Sequence, residues 1–184
     1  MKNIYCIVGE SGTGKSYIVS QLCKKHKLTE LCSYTTREPR DEDEQGHIFI
    51  TGVSPAQIHK RYPNIVAETL FNGHMYWCTQ EQVEQSDLYI IDPAGLDFFK
   101  KTYHGNKKIK TIYLRAAAIT RRLRMKRRGD DEDQIEARIL HDRTAFAEAE
   151  KMADFVVWND SAAMTVDKIW EYIQEQESKR RSKK

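Results

Sequence analysis

The chain has 184 residues, of which 40% are hydrophobic and 31% are charged, which is enough apolar sequence for one folded domain with a core. The formal net charge of +3 arises at the C-terminal end, since residues 179–184 hold five of the 30 basic side chains. The rest of the chain carries 25 basic against 27 acidic residues, which argues against a basic nucleic-acid-binding body. No apolar run approaches the ~18–20 residues of a membrane span. With no export signal at residues 1–8, we expect a cytoplasmic protein without a membrane or nucleic-acid partner.

The predicted elements alternate between strands and helices through most of the chain. Apolar runs predict buried strands at 2–8, 87–91, 109–114 and 155–158, and helical spacing predicts helices at 15–26, 119–128, 131–152 and 162–175. Such alternation indicates a parallel sheet covered on both faces. Residues 33–80 interrupt the alternation and contain a short strand-like piece at 47–50. We interpret them as a subdomain inserted over the sheet.

The cysteines and histidines do not form a predicted metal site. The four cysteines have irregular spacings without a Cys-x-x-Cys pair, and no two of the six histidines stand at metal-ligand spacing. Without an export signal, we expect Cys6, Cys23, Cys32 and Cys78 to be reduced thiols that mostly serve packing.

A glycine-rich segment lies between the first predicted strand and the first predicted helix. It reads Gly9-Glu10-Ser11-Gly12-Thr13-Gly14-Lys15-Ser16 and fits the phosphate-loop pattern at every fixed position. Glycines let consecutive backbone N–H groups turn inward around a polyphosphate, and the helix adds its positive N-terminal end. Lys15 is expected to reach the β- and γ-phosphates, and the Ser16 hydroxyl to bind Mg²⁺. We therefore predict nucleotide binding by Gly9, Ser11, Gly12, Thr13, Gly14, Lys15 and Ser16.

A second polar segment follows, with the sequence Ser33-Tyr34-Thr35-Thr36-Arg37-Glu38-Pro39-Arg40 and then Gly46 and Phe49. Two arginines three residues apart, stiffened by Pro39, are suited to hold a second phosphate by bidentate hydrogen bonds. Taken alone, this segment is explained equally well as a polar loop with two solvated arginines.

Together with the phosphate loop, this segment resembles the guanylate kinase family, which carries Ser-x-x-Thr-Arg-x-Pro-Arg followed by Gly and Tyr. The resemblance covers roughly residues 3–175 and continues at Glu68, 73–79, 92–95, 128–129, Arg138 and 158–160. It implies an α/β P-loop NTPase fold: a central parallel sheet flanked by helices, an inserted nucleoside monophosphate-binding subdomain and a lid. We expect a single domain, 1–178, with a core of 1–32, 81–123 and 143–178, the insertion at 33–80, the lid at 124–142 and a basic disordered tail at 179–184.

The resemblance implies roles on the acceptor side. Arg37, Arg40 and Tyr76 match residues that hold the phosphate of the acceptor nucleotide. Glu68 and Asp92 match carboxylates that accept the N1 and 2-amino protons of guanine, with Ser33 near its O6 and N7 edge. A surface carboxylate for Glu68 and a helix cap for Asp92 are the alternatives.

On the donor side, Arg128 and Arg138 match lid arginines that close on the donor phosphates, which with Lys15 and Arg37 completes the implied catalytic set. Asn159 matches the residue that lies against the adenine of ATP. The alternatives are a solvated basic face for the arginines and a strand-end turn for Asn159.

Four departures from the family pattern concern the acceptor. Phe49 stands where the family has a tyrosine, which removes one hydrogen bond to the acceptor phosphate. In Tyr76-Trp77-Cys78-Thr79, Trp77 replaces a glycine and Cys78 replaces a hydroxyl residue. Ile90 replaces the first aspartate of Asp-x-Asp, and 41–44 is an acidic run. The implied acceptor contacts nevertheless include Phe49, Cys78 and Thr79.

The resemblance implies ATP-dependent phosphorylation of GMP or dGMP to GDP or dGDP, with ATP and Mg²⁺ as cofactors, in a monomer or homodimer. The alternatives are a kinase for another nucleoside monophosphate or a sugar phosphate, and a non-catalytic guanylate-kinase-like binding module. A GTPase is disfavoured because 106–109 lacks the aspartate of a guanine-reading Asn-Lys-x-Asp segment.

Overall fold

The computed structural model describes residues 1–39, 44, 46–71 and 73–179. In chain order its helices and strands are β1 (Asn3–Val8), α1 (Lys15–His26), β2 (Glu30–Leu31), β3 (Ser33–Thr35), β4 (His47–Phe49), α2 (Pro55–Arg61), β5 (Ile65–Phe71), β6 (His74–Thr79), α3 (Gln80–Gln85), β7 (Leu88–Ile90), α4 (Pro93–Thr102), β8 (Lys108–Arg115), α5 (Ala118–Arg127), α6 (Glu132–Ala145), a 3₁₀ turn (Ala149–Met152), β9 (Phe155–Trp158) and α7 (Ala162–Lys179).

The central sheet has five parallel strands in the order β2-β7-β1-β8-β9. β1 is buried along its whole length, and its side chains alternate between two apolar layers because successive residues of a strand point to opposite faces. Ile4 and Cys6 pack on the α4 side, whereas Tyr5 and Ile7 pack against α1 and α7. The prediction of an α/β fold with a central parallel sheet flanked by helices is confirmed.

A second, mixed sheet of four strands has the order β4-β3-β6-β5. β3 pairs with β4 in parallel and with β6 antiparallel, and β5 pairs with β6 antiparallel. The ladder between β5 and β6 contains an irregularity between Ile65 and Ala67. This point in the ladder decides which side chains of β5 share a face with those of β6.

Two predicted elements differ from the structure. The helix predicted at 131–152 is divided into α6 and the 3₁₀ turn, because the chain turns after Ala145 and brings Ala149 into the core. α7 extends to Lys179, the first residue of the predicted disordered tail, while residues 180–184 lie outside the described residues. The predictions also omitted β2, α3 and α4, and within residues 33–80 they omitted β3, α2, β5 and β6.

The described residues also bear on two expectations, that the cysteines are reduced and that no helix spans a membrane. All four cysteines are free, and Cys6 and Cys78 are buried. None of the described helices combines the length and apolar character needed to cross a bilayer.

Candidate active site

The main chain of the phosphate loop connects β1 to α1 at the carboxyl edge of the central sheet. Gly12 and Gly14 adopt φ angles of 76° and 95°, in the left-handed region that glycine enters without a steric penalty. A Cβ atom at Gly12 would lie 2.5 Å from the carbonyl oxygen of Arg121. The loop therefore requires glycine here for both torsion and space, and it ends at a helix N-terminus suited to bind an anion.

Lys15 lies over this loop. Its Nζ donates to the carbonyl oxygens of Gly9, at 2.5 Å, and Glu10, at 3.1 Å. Burial lowers the pKa of Lys15 to about 8; the charge of Asp142 opposes this shift, and that of Arg128 adds to it. The ammonium group is thus held at the loop in a buried environment that disfavours its positive charge. A phosphate bound beside it would stabilise that charge.

Two side chains support the loop from the outside. Asn159 is 2% exposed, and its Nδ2 donates to the Thr13 carbonyl at 2.8 Å. Arg124 donates to the same carbonyl at 2.9 Å and to the Asn159 carbonyl at 3.0 Å. This placement gives the buried amide of Asn159 a positioning contact with the loop, and its contact with adenine stays a prediction.

Arg124 could not be singled out from the sequence, because six of the eight residues at 121–128 are basic. Its neighbour Arg121 is 5% exposed and forms an ion pair with Glu10 of the loop. The basic face of α5 therefore contributes buried contacts as well as solvated charges.

A carboxylate from α6 also contacts the loop. Oδ2 of Asp142 accepts the backbone N–H of Ser11 at 2.6 Å, and Asp142 is 2% exposed. Asp142 is not among the site residues predicted from the sequence. A signal was present, because Asp142 continues the helical stripe formed by Ile135, Ile139 and Phe146, where a carboxylate is out of place.

The two predicted lid arginines come together on one carboxylate. Arg128 donates from Nε to Asp130 at 3.0 Å and makes a second contact through Nη2, while Nε of Arg138 lies 3.4 Å from the same Asp130. Both arginines are partly exposed; Arg128 is the C-terminal cap of α5 and Arg138 lies within α6. The structure thus brings two predicted catalytic residues together on Asp130, and the charge of Arg128 also acts on Lys15.

On the acceptor side, one face of the small sheet collects several predicted residues. Thr35 lies opposite both Phe49 and Tyr76 in the strand ladders, and directly opposed residues share a face. Nε of Arg37 donates to the Tyr76 hydroxyl at 3.2 Å, and its guanidinium lies 5.3 Å from the Phe49 ring centroid. Phe49 therefore supports Arg37 by a cation–π contact where a tyrosine would offer a hydroxyl. We call this surface the acceptor face.

Ser33 lies on the acceptor face, where its Oγ is 3.0 Å from Nδ1 of His47. Arg37 also forms a bidentate pair with Glu44, at 2.7 and 3.0 Å. A phosphate would use the same two guanidinium nitrogens. Arg40, the second predicted phosphate-binding arginine, lies outside the described residues.

Asp92 has two sets of contacts. Its Oδ1 accepts the N–H groups of Ala94 and Gly95, each at 3.0 Å, and so caps α4. The same oxygen accepts the Thr69 hydroxyl at 3.3 Å. Since Thr69 lies opposite Tyr76, Asp92 stands beside the acceptor face, and the helix-cap alternative describes one part of its role.

Glu68 is separated from this group. It lies opposite Trp77 rather than Tyr76, which directs it to the other face of the small sheet. There its Oε2 is 2.5 Å from Nε2 of His59 on α2. The structure therefore does not bring Glu68 together with Asp92.

Trp77 points to the same far face as Glu68. Its ring is fully buried and packs against Tyr34 and Tyr62, with ring centroids 5.5 and 5.7 Å away. The bulky side chain that replaces a family glycine is therefore accommodated away from the acceptor face.

Cys78 and Thr79 follow on β6. Cys78 lies opposite Ala67 in the core, and burial raises the pKa of its thiol to about 12, so the thiol is neutral at pH 7. Thr79 caps α3 by accepting the N–H of Gln82. The structure thus gives Thr79 a helix-capping contact, and its implied substrate contact stays a prediction.

The phosphate loop between β1 and α1 of a parallel sheet defines a P-loop nucleotide-binding protein. A family model described as guanylate kinase matches residues 1–176. The chain therefore belongs to the guanylate kinase family of enzymes.

Individual relatives agree with this family. The guanylate kinase of Syntrophus aciditrophicus (strain SB) is 30% identical over 180 residues, covering 92% of this chain and 84% of the relative. That of Paraburkholderia xenovorans (strain LB400) is 29% identical over 168 residues, covering 86% and 73%. The crystal structure of guanylate kinase from Anaplasma phagocytophilum matches with a TM-score of 0.64 at 14% identity over 95% of this chain and 86% of that one, a likeness of fold.

Proposed function

We propose that the chain transfers the γ-phosphoryl group of ATP to a nucleoside monophosphate, with GMP or dGMP as the acceptor to be tested first. The observation that carries this proposal is the presence, in a member of this family, of two groups of residues suited to bind phosphate. One is the phosphate loop with Lys15, and the other is Arg37 with Tyr76. A chain of contacts links them, since Asp142 and His141 are adjacent on α6 and His141 packs on Phe71, which packs on Tyr76.

The donor side fits a magnesium-bound triphosphate. The main chain from Gly12 to Lys15 would bind the phosphates, and Lys15 would neutralise charge on the β- and γ-phosphates. The exposed hydroxyl of Ser16, at the start of α1, would hold Mg²⁺ together with the phosphates. Among the described residues no cluster of three or more His, Cys, Asp or Glu side chains offers an all-protein metal site. When bound, the ion would neutralise charge that develops on the transferred group.

The acceptor phosphate would be held by Arg37, Arg40 and Tyr76. In binding it, Arg37 would exchange Glu44 for phosphate oxygens in the same bidentate geometry. Arg128 and Arg138 would leave Asp130 and close on the donor phosphates, which also excludes water from the reaction. No covalent enzyme intermediate is needed, because alignment of the two nucleotides and charge neutralisation carry the transfer.

Base recognition on the acceptor face would rest on Asp92 and Ser33. A carboxylate that accepts hydrogen bonds from the N1–H and 2-amino groups of guanine is left unpaired by a base without those donors, and this penalty gives selectivity. Asp92 has a second oxygen beyond the one that caps α4, so capping and base recognition are compatible. This step would take place in the cytoplasm as part of purine nucleotide metabolism.

One observation favours a second candidate, a kinase for a different nucleoside monophosphate or for a sugar phosphate. Glu68, the other carboxylate implied to read guanine, faces away from Tyr76 and pairs with His59. The acceptor face then offers one carboxylate to a base instead of two. Guanine selectivity should be weaker than two carboxylates would give.

The test is an ADP-release assay with ATP, Mg²⁺ and the acceptors GMP, dGMP, AMP, CMP and UMP. Turnover with GMP and dGMP supports the first proposal, and turnover with another acceptor supports the second. Silence with every acceptor, in a preparation that binds ATP by calorimetry, would contradict both and favour a binding module. Lys15→Ala is the matched control, since phosphoryl transfer by the chain itself must depend on it.

A further inference from the structure

One peptide unit of the phosphate loop is held from both sides. On the outer side, the N–H of Ser11 donates to Oδ2 of Asp142 at 2.6 Å, and Asp142 is 2% exposed. On the inner side, the Glu10 carbonyl of the same trans peptide accepts Nζ of Lys15 at 3.1 Å. The Thr13 hydroxyl and N–H donate to this carbonyl as well, at 2.8 and 3.3 Å. Because the N–H and C=O of a trans peptide point in opposite directions, Asp142 fixes the direction of the Glu10 carbonyl.

The direction of that carbonyl matters for Lys15. Among the described residues, the Lys15 ammonium has two hydrogen-bond acceptors, the carbonyl oxygens of Gly9 and Glu10. An ammonium group has three N–H donors, so two carbonyl contacts fix the direction of the third. In the proposed function, this third donor is the one that serves a bound phosphate. Loss of the Glu10 contact would leave the ammonium free to turn about its remaining contact with Gly9.

Asp142 is suited to orient this peptide because it is held by a part of the molecule other than the loop. It lies in the C-terminal half of α6, on the stripe that also carries the fully buried Ile135. The neighbouring His141 packs edge-on against Phe71 of the small sheet, with ring centroids 4.8 Å apart. The carboxylate therefore brings a fixed hydrogen-bond acceptor to the loop from outside.

The charge of Asp142 is a second way in which this residue acts on Lys15. It raises the pKa of Lys15 against the larger lowering by burial, while the charges of Arg128 and Glu10 add contributions of opposite sign. Asp142 thus supplies one of several opposing charges, whereas it is the hydrogen-bond partner that the structure gives to the Ser11 N–H. The hydrogen bond is therefore the contribution that sets Asp142 apart.

We propose that Asp142 is a positioning residue for phosphoryl transfer, which orients the Glu10–Ser11 peptide so that its carbonyl holds the Lys15 ammonium toward the transferred group. This inference rests on the proposed function, in which Lys15 neutralises charge on the β- and γ-phosphates. Asp142 itself contacts neither nucleotide, because it acts through the peptide. Its loss should therefore lower kcat, which depends on the position of Lys15, and leave the acceptor KM unchanged.

The experiment measures kcat and the acceptor KM by ADP release, with GMP or whichever acceptor of the panel gives turnover. It compares the full chain with two variants of similar side-chain volume. Asp142→Asn removes the charge and keeps an oxygen that accepts the Ser11 N–H, whereas Asp142→Leu removes both. Asp142→Leu should lower kcat by about tenfold or more, and Asp142→Asn by less than about threefold. The acceptor KM should change by less than about twofold in both variants.

The control is Asp133→Asn, which removes the same charge from an exposed position in the first turn of α6. Its kcat should equal that of the wild-type chain. Equal losses of kcat in Asp142→Asn and Asp142→Leu would assign the effect to charge and overturn the inference, as would an unchanged kcat in Asp142→Leu.

A double substitution separates action through Lys15 from a general loss of structure. In a Lys15→Ala background, Asp142→Leu should lower kcat by less than about twofold further, because the group that Asp142 positions is absent. A further loss of about tenfold in that background would show independent effects and overturn the inference.

Crystal structures of the two Asp142 variants give a readout that does not depend on turnover. In Asp142→Leu the Glu10 carbonyl should lie beyond hydrogen-bonding distance of Lys15 Nζ, whereas Asp142→Asn should keep the wild-type contact. An unchanged carbonyl in Asp142→Leu would overturn the inference even in an active enzyme. Absence of turnover in the wild-type chain would instead contradict the proposed function, so the two failures are distinguishable. Asp142→Ala takes the place of Asp142→Leu in each measurement if the leucine variant does not fold.

Discussion

The phosphate loop, which we call the donor loop because of its proposed role, and the acceptor face depend on the sequence in different ways. The donor loop is a main-chain structure, in which Gly12 and Gly14 adopt torsions that the spacing of the glycines already indicates. The acceptor face is a side-chain structure, in which Phe49, Tyr76 and Thr69 gather because of strand register. A loop motif can be recognised from the order of its residues alone. In a sheet, by contrast, a shift of one residue in the pairing of two strands moves each side chain of the shifted strand to the opposite face.

The two regions share one feature, since carboxylates of the chain itself contact the groups proposed to bind phosphate. Asp130 contacts the lid arginines on the donor side, and Glu44 contacts Arg37 on the acceptor side. Phosphate binding on either side is therefore an exchange of anions, with less net gain than a free cation would give.

The largest effect should come from the donor loop. Lys15→Ala should lower kcat by about 100- to 1,000-fold, by analogy with the loss of other preorganised charge donors. Steady-state ADP release measures it. Lys25→Ala is the control, because Lys25 lies on the same helix in an exposed pair with Asp167. Near-normal turnover of the Lys15 variant would remove the loop from the mechanism.

On the acceptor face, Arg37→Ala should raise the acceptor KM by about 10- to 100-fold, because a bidentate charge-assisted contact is lost. The KM for ATP should change little. Arg61→Ala provides the comparison, as Arg61 ends α2 and lies over Tyr62. A rise confined to the KM for ATP would assign Arg37 to the donor side instead.

The fold and the donor loop could be predicted from the sequence because both rest on patterns along the chain. Buried runs gave four of the five central strands, while the two-residue β2 left no pattern to detect. The far-face position of Glu68 could not be foreseen, because it follows from a ladder irregularity between Ile65 and Ala67. Asp142 stands out in the sequence as a carboxylate on the apolar stripe of α6, but its contact with Ser11 depends on tertiary packing.

A paired substitution tests the separation of the two carboxylates. Asp92→Asn should lower the preference for GMP over AMP by about tenfold, since a charged acceptor for the base protons is lost. Asparagine also caps helices well, so α4 should persist. Glu68→Ala should change the same preference by less than about threefold. Measured kcat/KM ratios decide this, and a larger loss of selectivity from Glu68→Ala would assign base recognition to Glu68.

The smallest expected effect is a pH dependence on the donor side. Burial lowers the folded-state pKa of Lys15 to about 8, well under its ordinary value. Its charged form therefore costs stability below about pH 8, and this cost is relieved as the pH rises toward the unfolded-state pKa. Phosphate binding needs the charged form, so kcat/KM for ATP should decline above about pH 8. A profile that stays flat to pH 10, measured with the acceptor saturating, would show that Lys15 keeps an ordinary pKa.

The central claim, a main-chain donor loop facing an acceptor face that excludes Glu68, is tested most directly by a crystal structure with GMP and a non-hydrolysable ATP analogue. We predict the triphosphate at the loop of Gly9–Ser16, the GMP phosphate on Arg37 and Tyr76, and the base beside Asp92. Glu68 should remain paired with His59. A guanine base within hydrogen-bonding distance of Glu68, or a triphosphate outside the loop, would contradict the account.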